Sequence, residues 1–489
     1  MFKQLLIFTL IMLSIIGCKK DDIEFEENDN PLSFSTNEIT FDTVFATIGS
    51  ITKTLKVFNN NKYDLSTDII LRGITEANFR MNIDGVSGNN QKNIIIPAKD
   101  SIFIFIEVTI NPSDNLTPYI LTDSIIFKTS SALQDVDLIA WGQDAHFHLP
   151  DTMIEVTIGD NTFDFHYHRL KDFNVWDNDK PHVIYGYVMV EDDEELIIQS
   201  EYASDRNTNI YLHKNSGIIV GNPFNSNIGG SLKVYGSELT KVTFQGDRLD
   251  DYYSNPESAP AGQWDKIWLS PGSIDNVIEN AIIKNATIGI HTDTNSNTNP
   301  TLLINNTIID NMSMYGILGQ GAYIEAYNLL ITRCGERLFA GIIGGTYKFI
   351  HCTFTNYWEE SRNTASILLN NFYLDNNSNI QLRNLIEASF TNCIIYGNNE
   401  NEIELQNNDN AQFNFEFLNS LIKIKPFENS YNYINTIINQ SPKFISNKDF
   451  HLKENSPAID YGVNTQITYD IENNPRTDGY PDVGAYEYP

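Results

Sequence analysis

Over residues 32–148 apolar and polar residues alternate in short runs broken by turn clusters, and nothing in the stretch has a helical period. Asn59-Asn60-Asn61 and Pro97-Ala98-Lys99-Asp100 are two such turns. Strand signals at 39–45, 52–58, 67–71, 102–110, 124–128 and 136–141 predict an antiparallel sandwich. Downstream of 149 the pattern becomes a repeat, an Asn followed by an apolar triplet. It reads Asn280-Ala281-Ile282-Ile283, Asn306-Thr307-Ile308-Ile309, Asn328-Leu329-Leu330-Ile331, Asn392-Cys393-Ile394-Ile395 and Asn419-Ser420-Leu421-Ile422, with His351-Cys352-Thr353-Phe354 in the same frame.

The anchors are 26, 22, 23, 41 and 27 residues apart. These steps match one turn of a parallel β-helix rather than a propeller blade. The step of 41 requires two short coils or one coil with long loops. Stacking the coils would place Ile283, Ile309, Ile331, Phe354, Ile395 and Ile422 in one inward ladder. The anchoring Asn suits a sharp bend, because Asn tolerates left-handed backbone and its amide can bond its neighbour one coil away. Segments 183–190, 196–200, 209–213, 217–220, 231–235 and 242–244 lack the anchor and are read as earlier, less regular coils. Polar loops at 246–263, 291–300, 357–363 and 397–412 interrupt the stack, and long turns on one side of a solenoid usually define its binding face.

The expected fold class is therefore all-β: a sandwich over 32–148, then a right-handed parallel β-helix over 149–489 with a C-terminal cap. The first part resembles the immunoglobulin-like modules that bacterial envelope proteins place between an anchor and a distal domain. The tail reads Ser456-Pro457-Ala458-Ile459-Asp460-Tyr461-Gly462, then Asp470, Asn474-Pro475-Arg476 and Pro481-Asp482-Val483-Gly484-Ala485-Tyr486-Glu487. With Gln263-Trp264-Asp265-Lys266-Ile267-Trp268-Leu269 and the Asn-anchored coils, it resembles right-handed β-helix proteins of bacterial surfaces in the pectate-lyase-like superfamily. The resemblance implies fold more than activity, since this fold hosts lyases, hydrolases, epimerases and adhesins.

At the N-terminus, Lys3 precedes an apolar run over 5–16, too short to span a bilayer comfortably and laid out as a secretory signal. Its end, Ile15-Ile16-Gly17-Cys18, resembles the lipobox of bacterial lipoproteins, which implies a signal peptide over 1–18 and lipidation of Cys18. Lys19-Lys20-Asp21-Asp22 opens an acidic tether over 19–31 and resembles the surface-export signal of Bacteroidetes lipoproteins. The implied address is the outer membrane, at the cell surface.

Sixty-three acidic against 32 basic residues give a formal charge of −31, which repels phosphate backbones and disfavours nucleic acid as a partner. Such a surface suits Ca²⁺ or a neutral ligand. The four cysteines are Cys18, Cys334, Cys352 and Cys393. Cys352 and Cys393 share one repeat position, so they would stack as small core residues, or come within disulfide range if their coils are adjacent.

Candidate chemistry is sparse. Pectate lyases of this fold use Ca²⁺ with an Arg or Lys base, and the best local match is Asp247, Arg248, Asp250 and Asp251 on the loop after 242–244. Trp264, Asp265 and Lys266 close that loop, with Trp264 as a sugar-stacking ring. A hydrolase would need paired carboxylates roughly 5–10 Å apart, and the adjacent Asp250 and Asp251 do not obviously face each other. His146/His148 and His166/His168 each share a strand face, a spacing open to zinc, yet no carboxylate or Cys sits at ligand spacing, and no metal site is assigned. In the tail, Asp460, Asp470 and Asp482 read either as an acidic metal site or, preferred, as a cap with Arg476 bidentate to one of them and tight turns at Gly462 and Gly484. The leading expectation is non-enzymatic engagement of, or display toward, extracellular polysaccharide or another surface macromolecule. The alternatives are a Ca²⁺-assisted polysaccharide lyase or glycoside hydrolase, and a structural adhesin.

Overall fold

Period-two alternation produces strands almost throughout. A computed structural model describes residues 31–489 apart from 46–48, 74–77, 110–118, 160, 171–173, 201–205, 225–228, 294–298, 376, 426–430 and 478. The signal segment, Cys18 and residues 19–30 of the tether lie outside the described residues. The chain divides into two units after Asp144.

In the first unit, Leu65–Leu71 and Ser101–Val108 bury every second side chain. Two five-stranded sheets result. One contains Ser33–Phe34, Lys53–Phe58, Phe79–Ile83, Val86–Ser87 and Ser101–Val108; the other contains Glu38–Phe45, Leu65–Leu71, Asn90–Ile96, Tyr119–Lys128 and Leu133–Gln143. Leu55, Ile69, Ile104, Phe127 and Leu138 meet in their shared core. The pairing is not wholly antiparallel, because Glu38–Phe45 runs parallel to Leu133–Gln143. Phe79–Ile83 and Asn90–Ile96 escape a reading by hydrophobic pattern; the first is short, and the second carries four polar residues on a largely exposed edge.

The second unit starts at Ala145, four residues before the boundary expected from sequence, because His146–His148 pairs in parallel with His182–Ile184. An antiparallel hairpin, Thr152–Ile158 with Asn161–Arg169, precedes the regular coils. From Val175 to Gln406 each coil has three faces in a right-handed parallel β-helix. The first face runs from Tyr187–Val190 through Gly217–Val220, Ile267–Leu269, Ile288–Thr292 and Tyr315–Gln320 to Ile403–Gln406. The second and third faces are hydrogen-bonded within one large sheet.

The inward ladder forms as expected. Ile283, Ile309, Ile331, Phe354, Ile395 and Ile422 are paired in consecutive register on the third face, all fully buried. Beside it, Phe349, Phe390, Phe417 and Tyr433 stack on the second face with ring centroids 5.0, 4.9 and 5.4 Å apart. The step of 41 residues is one coil with long loops: Gly345–Ile350 pairs with Leu385–Thr391 and Thr353–Asn356 with Ile394–Gly397, while the hairpin Phe372–Leu374/Ile380–Leu382 projects between them. Cys352 and Cys393 therefore sit on adjacent coils, as buried free thiols together with Cys334.

Between the second and third faces the chain turns at a residue of positive φ: Asn280 (51°), Asn306 (44°), Asn328 (48°), His351 (52°), Asn392 (52°) and Asn419 (45°). Asn328 Nδ2 donates to Asn306 Oδ1 at 3.0 Å, and Asn392 Nδ2 donates to His351 Nε2 at 3.0 Å. The tail lies along this corner and over the outside of the third face rather than serving only as an end cap. Val483, Ala485 and Ile471 cover the outward Leu330, Ile394 and Leu421. Asn392 donates to Val463 O, Asn419 to Tyr461 O and Asn328 to Tyr469 O.

The tail's acids serve this packing. Asp482 accepts the backbone N–H groups of Asp460 and Tyr488, and Asp470 accepts those of Glu472, Asn474 and Glu487. Arg476 pairs with Glu487 at 2.5 Å, both buried, not with one of the three Asp residues. Gly484 has φ of 108° as expected, whereas Gly462 is needed because a Cβ would strike Pro481 O.

His351 holds an anchor position that is Asn on neighbouring coils. Its Nδ1–H donates to Asp482 O (3.2 Å) while Nε2 accepts from Asn392, so the neutral ring is required. Burial first, and the Arg476 charge second, push its pKa well below the ordinary value. The unfolded chain then binds the proton more readily, so this contribution is complete above about pH 6.5 and is lost as pH falls. Denaturant melts at pH 7 and pH 5 should show wild type losing about 2 kcal/mol more stability over this range than His351→Asn. Equal losses would contradict the assignment.

Candidate functional site

Loops on neighbouring coils emerge at the same corner when the coils are in register, and two of the long ones leave the third face toward the first. One follows Val242–Gly246 and the other follows Thr353–Asn356. Between them lies a cleft of about 390 Å³, within the range of small-ligand sites, with Tyr252, Glu257 and Pro260 on one wall, Trp358, Glu359 and Glu360 on the other, and Asn311, Ser313 and Arg333 on the floor.

Each wall is held by identifiable bonds. Asn311, in left-handed backbone (φ 62°), donates to Ala259 O at 2.9 Å and to Asn285 Oδ1 at 2.8 Å. Arg333 (φ 48°) is bidentate to Asp310, at 2.8 and 2.5 Å, and its Nη1 reaches Pro256 O at 3.3 Å. The opposite loop is tied down by Arg362, whose Nη2 meets both oxygens of the fully buried Glu402 at 2.9 and 2.8 Å. Glu402 also accepts from Ser366 N, Ser366 Oγ and Asn399 N, so its charge is fully paired. Trp358 lies against Gly335, where a Cβ would come within 3.4 Å of the ring and would strike Ser313 O.

The tail joins the two walls. Lys448 Nζ is 2.5 Å from Glu257 Oε2 and 3.9 Å from Glu359 Oε1. The bond and charge of Lys448, with Arg333 behind it, hold the Glu257 carboxyl below its usual range. Glu257 is thus ionised at neutral pH and accepts hydrogen bonds rather than donating them. The cleft offers two rings, paired cations and carboxylates on its rim, an arrangement that suits a ligand rich in hydroxyl groups.

The residues singled out in the sequence divide among four places. Asp247 turns to His213 Nδ1 at 2.7 Å. The His213 ring stacks on Tyr185, whose pKa is raised by burial and by Asp247. Arg248 bonds Asp250 at 3.0 and 3.2 Å and covers the Tyr253 ring at 3.7 Å, so this pair stiffens the loop that carries Tyr252. Asp251 begins the short helix Asp251–Ser254; its side chain lies outside the described residues. Asp265 accepts from Tyr187 OH, while Lys266 is 3.6 Å from Asp265 and 5.3 Å above the Trp268 ring. Trp264 is not a sugar platform: it is 1% exposed, and its Nε1 donates to Lys284 O at 2.9 Å. These groups do not converge on one point, and among the described residues no three carboxylates bring their oxygens together as a Ca²⁺ site requires. Residues 246–263 and 357–363 are legible as loops in the sequence, but Tyr252, Glu257, Trp358, Glu359 and Arg333 are not distinguished there from other polar and aromatic positions. The dipeptide Tyr357-Trp358 before two acids was the available signal.

Fold and site together define an all-β chain whose second unit is a right-handed parallel β-helix with a loop-walled cleft. No protein-family model matches the sequence, and no curated protein matches it as a relative. Among solved structures, it is similar to pectate lyase Pel9A at 11% identity, covering 71% of this chain and 88% of that one, with a TM-score of 0.31. The Agl-KA catalytic domain is similar at 10% identity, covering 83% and 85%, with a TM-score of 0.27. A PapD-like domain of human CEP192 is similar at 12% identity, covering 26% and 99%, with a TM-score of 0.18. At these values the likenesses do not extend to activity, and the fold rests on the strand pairing itself.

Replacing Glu402 with Ala leaves the Arg362 charge buried without its partner. Chemical denaturation should report a loss of about 3–5 kcal/mol. A loss below 1 kcal/mol would mean that the pair does not anchor the Trp358 loop.

Proposed function

We propose that this chain is an exported lipoprotein, anchored to the outer membrane through Cys18 and exposed at the cell surface, whose β-helix engages extracellular glycan as a binding module in the cleft between the two loops. The first unit then acts as a spacer between the anchor and the β-helix. The observation that carries the reading is the cleft, which sets Tyr252, 63% exposed, and the half-buried Trp358 on opposite walls with ionised and amide groups between them. Aromatic faces take the apolar faces of sugar rings, and the surrounding polar groups take the hydroxyls.

Retention of the purified chain on affinity gels carrying neutral and uronic-acid polysaccharides, with and without Ca²⁺, tests this together with assays for unsaturated products and new reducing ends. The expected result is retention of at least one glycan without product, weakened about tenfold by Trp358→Ala, equivalent to roughly 1.4 kcal/mol. Product formation would replace the reading with a lyase or hydrolase. Silence in both assays would leave an adhesin or scaffold.

A further inference from the structure

We propose that the β-helix carries, at its first coil, a site for a divalent transition metal of the zinc class, built from His146, Asp179 and His182. Parallel pairing sets His146 directly opposite His182, with ring centroids 4.9 Å apart. The turn leading into His182 brings Asp179 back over this pair, its Oδ1 2.8 Å from His146 Nε2. One ligand atom from each residue lies within 4.8 Å of the other two, and among the described residues no other set of His, Cys, Asp and Glu converges in this way. Tetrahedral Zn²⁺ with bonds of about 2.0–2.2 Å spaces its donors roughly 3.3 Å apart. Small rotations of His146 and Asp179, both about half exposed, close the remaining gap. Two imidazoles and one carboxylate form a donor set for Zn²⁺ and not for Ca²⁺ or Mg²⁺, which prefer oxygen alone.

The surroundings hold the buried ligand in place. His182 Nδ1 bonds His148 Nε2 at 3.0 Å and its Nε2 lies 3.1 Å from Asp177 O, so a metal bound through Nε2 replaces that carbonyl contact while the bond to His148 orients the ring, as the second nitrogen of metal-bound imidazoles commonly does. Trp176 stacks on both rings, 4.8 Å from His182 and 4.0 Å from His148. Exposure of His146 and Asp179 leaves a path for the ion and room for water as a fourth ligand. Bound metal would fasten the strand His146–His148 to the turn at 177–180, a staple at the coil that has no earlier coil above it.

Calorimetric titration of the chelator-treated full chain with ZnCl₂ tests the site. One equivalent should bind. His146→Ala and Asp179→Asn should each weaken that binding at least tenfold while metal-free circular dichroism and melting stay unchanged, and His166→Ala, an exposed histidine outside the cluster, should bind as wild type does. Titration with Co²⁺ should give visible bands of a low-coordinate ion that disappear in Asp179→Asn. Failure to bind Zn²⁺, or binding that survives both ligand variants, would overturn the proposal.

Discussion

The second unit depends on one constraint: every coil must turn the same corner at the same place, or the coils cannot hydrogen-bond in register. Six successive anchors adopt left-handed backbone at that corner, five of them Asn and one His351. Asn reaches this conformation at low cost, and its amide offers both a donor and an acceptor to the coil above and to the tail. Once the corner repeats, the ladder from Ile283 to Ile422 follows, and so does the placement of loops, because insertions after the third face on any coil emerge on the same edge. The cleft is a consequence of register.

The parts of the fold that were legible in sequence are those set by local chemistry repeated many times. The Asn-triplet frame identified the corner and the inward ladder residue by residue, since burial at one position of each coil leaves a periodic trace. The middle residue of each triplet shows the limit. Leu330, Ile394 and Leu421 point outward yet are apolar because the tail covers them, a contact across many coils that no local pattern encodes. Arg476 pairing with Glu487, and Trp264 turning inward to Lys284 O, likewise depend on which coil lies beside which. The coil of 41 residues was ambiguous because its extra length sits in a loop and a hairpin outside the stack.

The same distinction applies to the sites. Two loops were recognisable by their polarity, but their facing one another followed from the register, and the link through Lys448 from the tail was invisible locally. The paired His146 and His148 were apparent, whereas Asp179 and His182 join them only through the parallel pairing of two strands more than 30 residues apart. Both sites are long-range products of a short-range repeat. Around the cleft the cations are already matched by carboxylates, and with the chain's formal charge of −31 this favours a ligand held by hydroxyl hydrogen bonds and ring stacking over a polyanion held by charge.

Amide hydrogen exchange of the chain with and without a retained glycan tests the central claim most directly. Protection concentrated at 252–261 and 357–360, on the two walls of the cleft, is the result this account predicts. Protection confined to other faces of the β-helix or to residues 31–144 would contradict it.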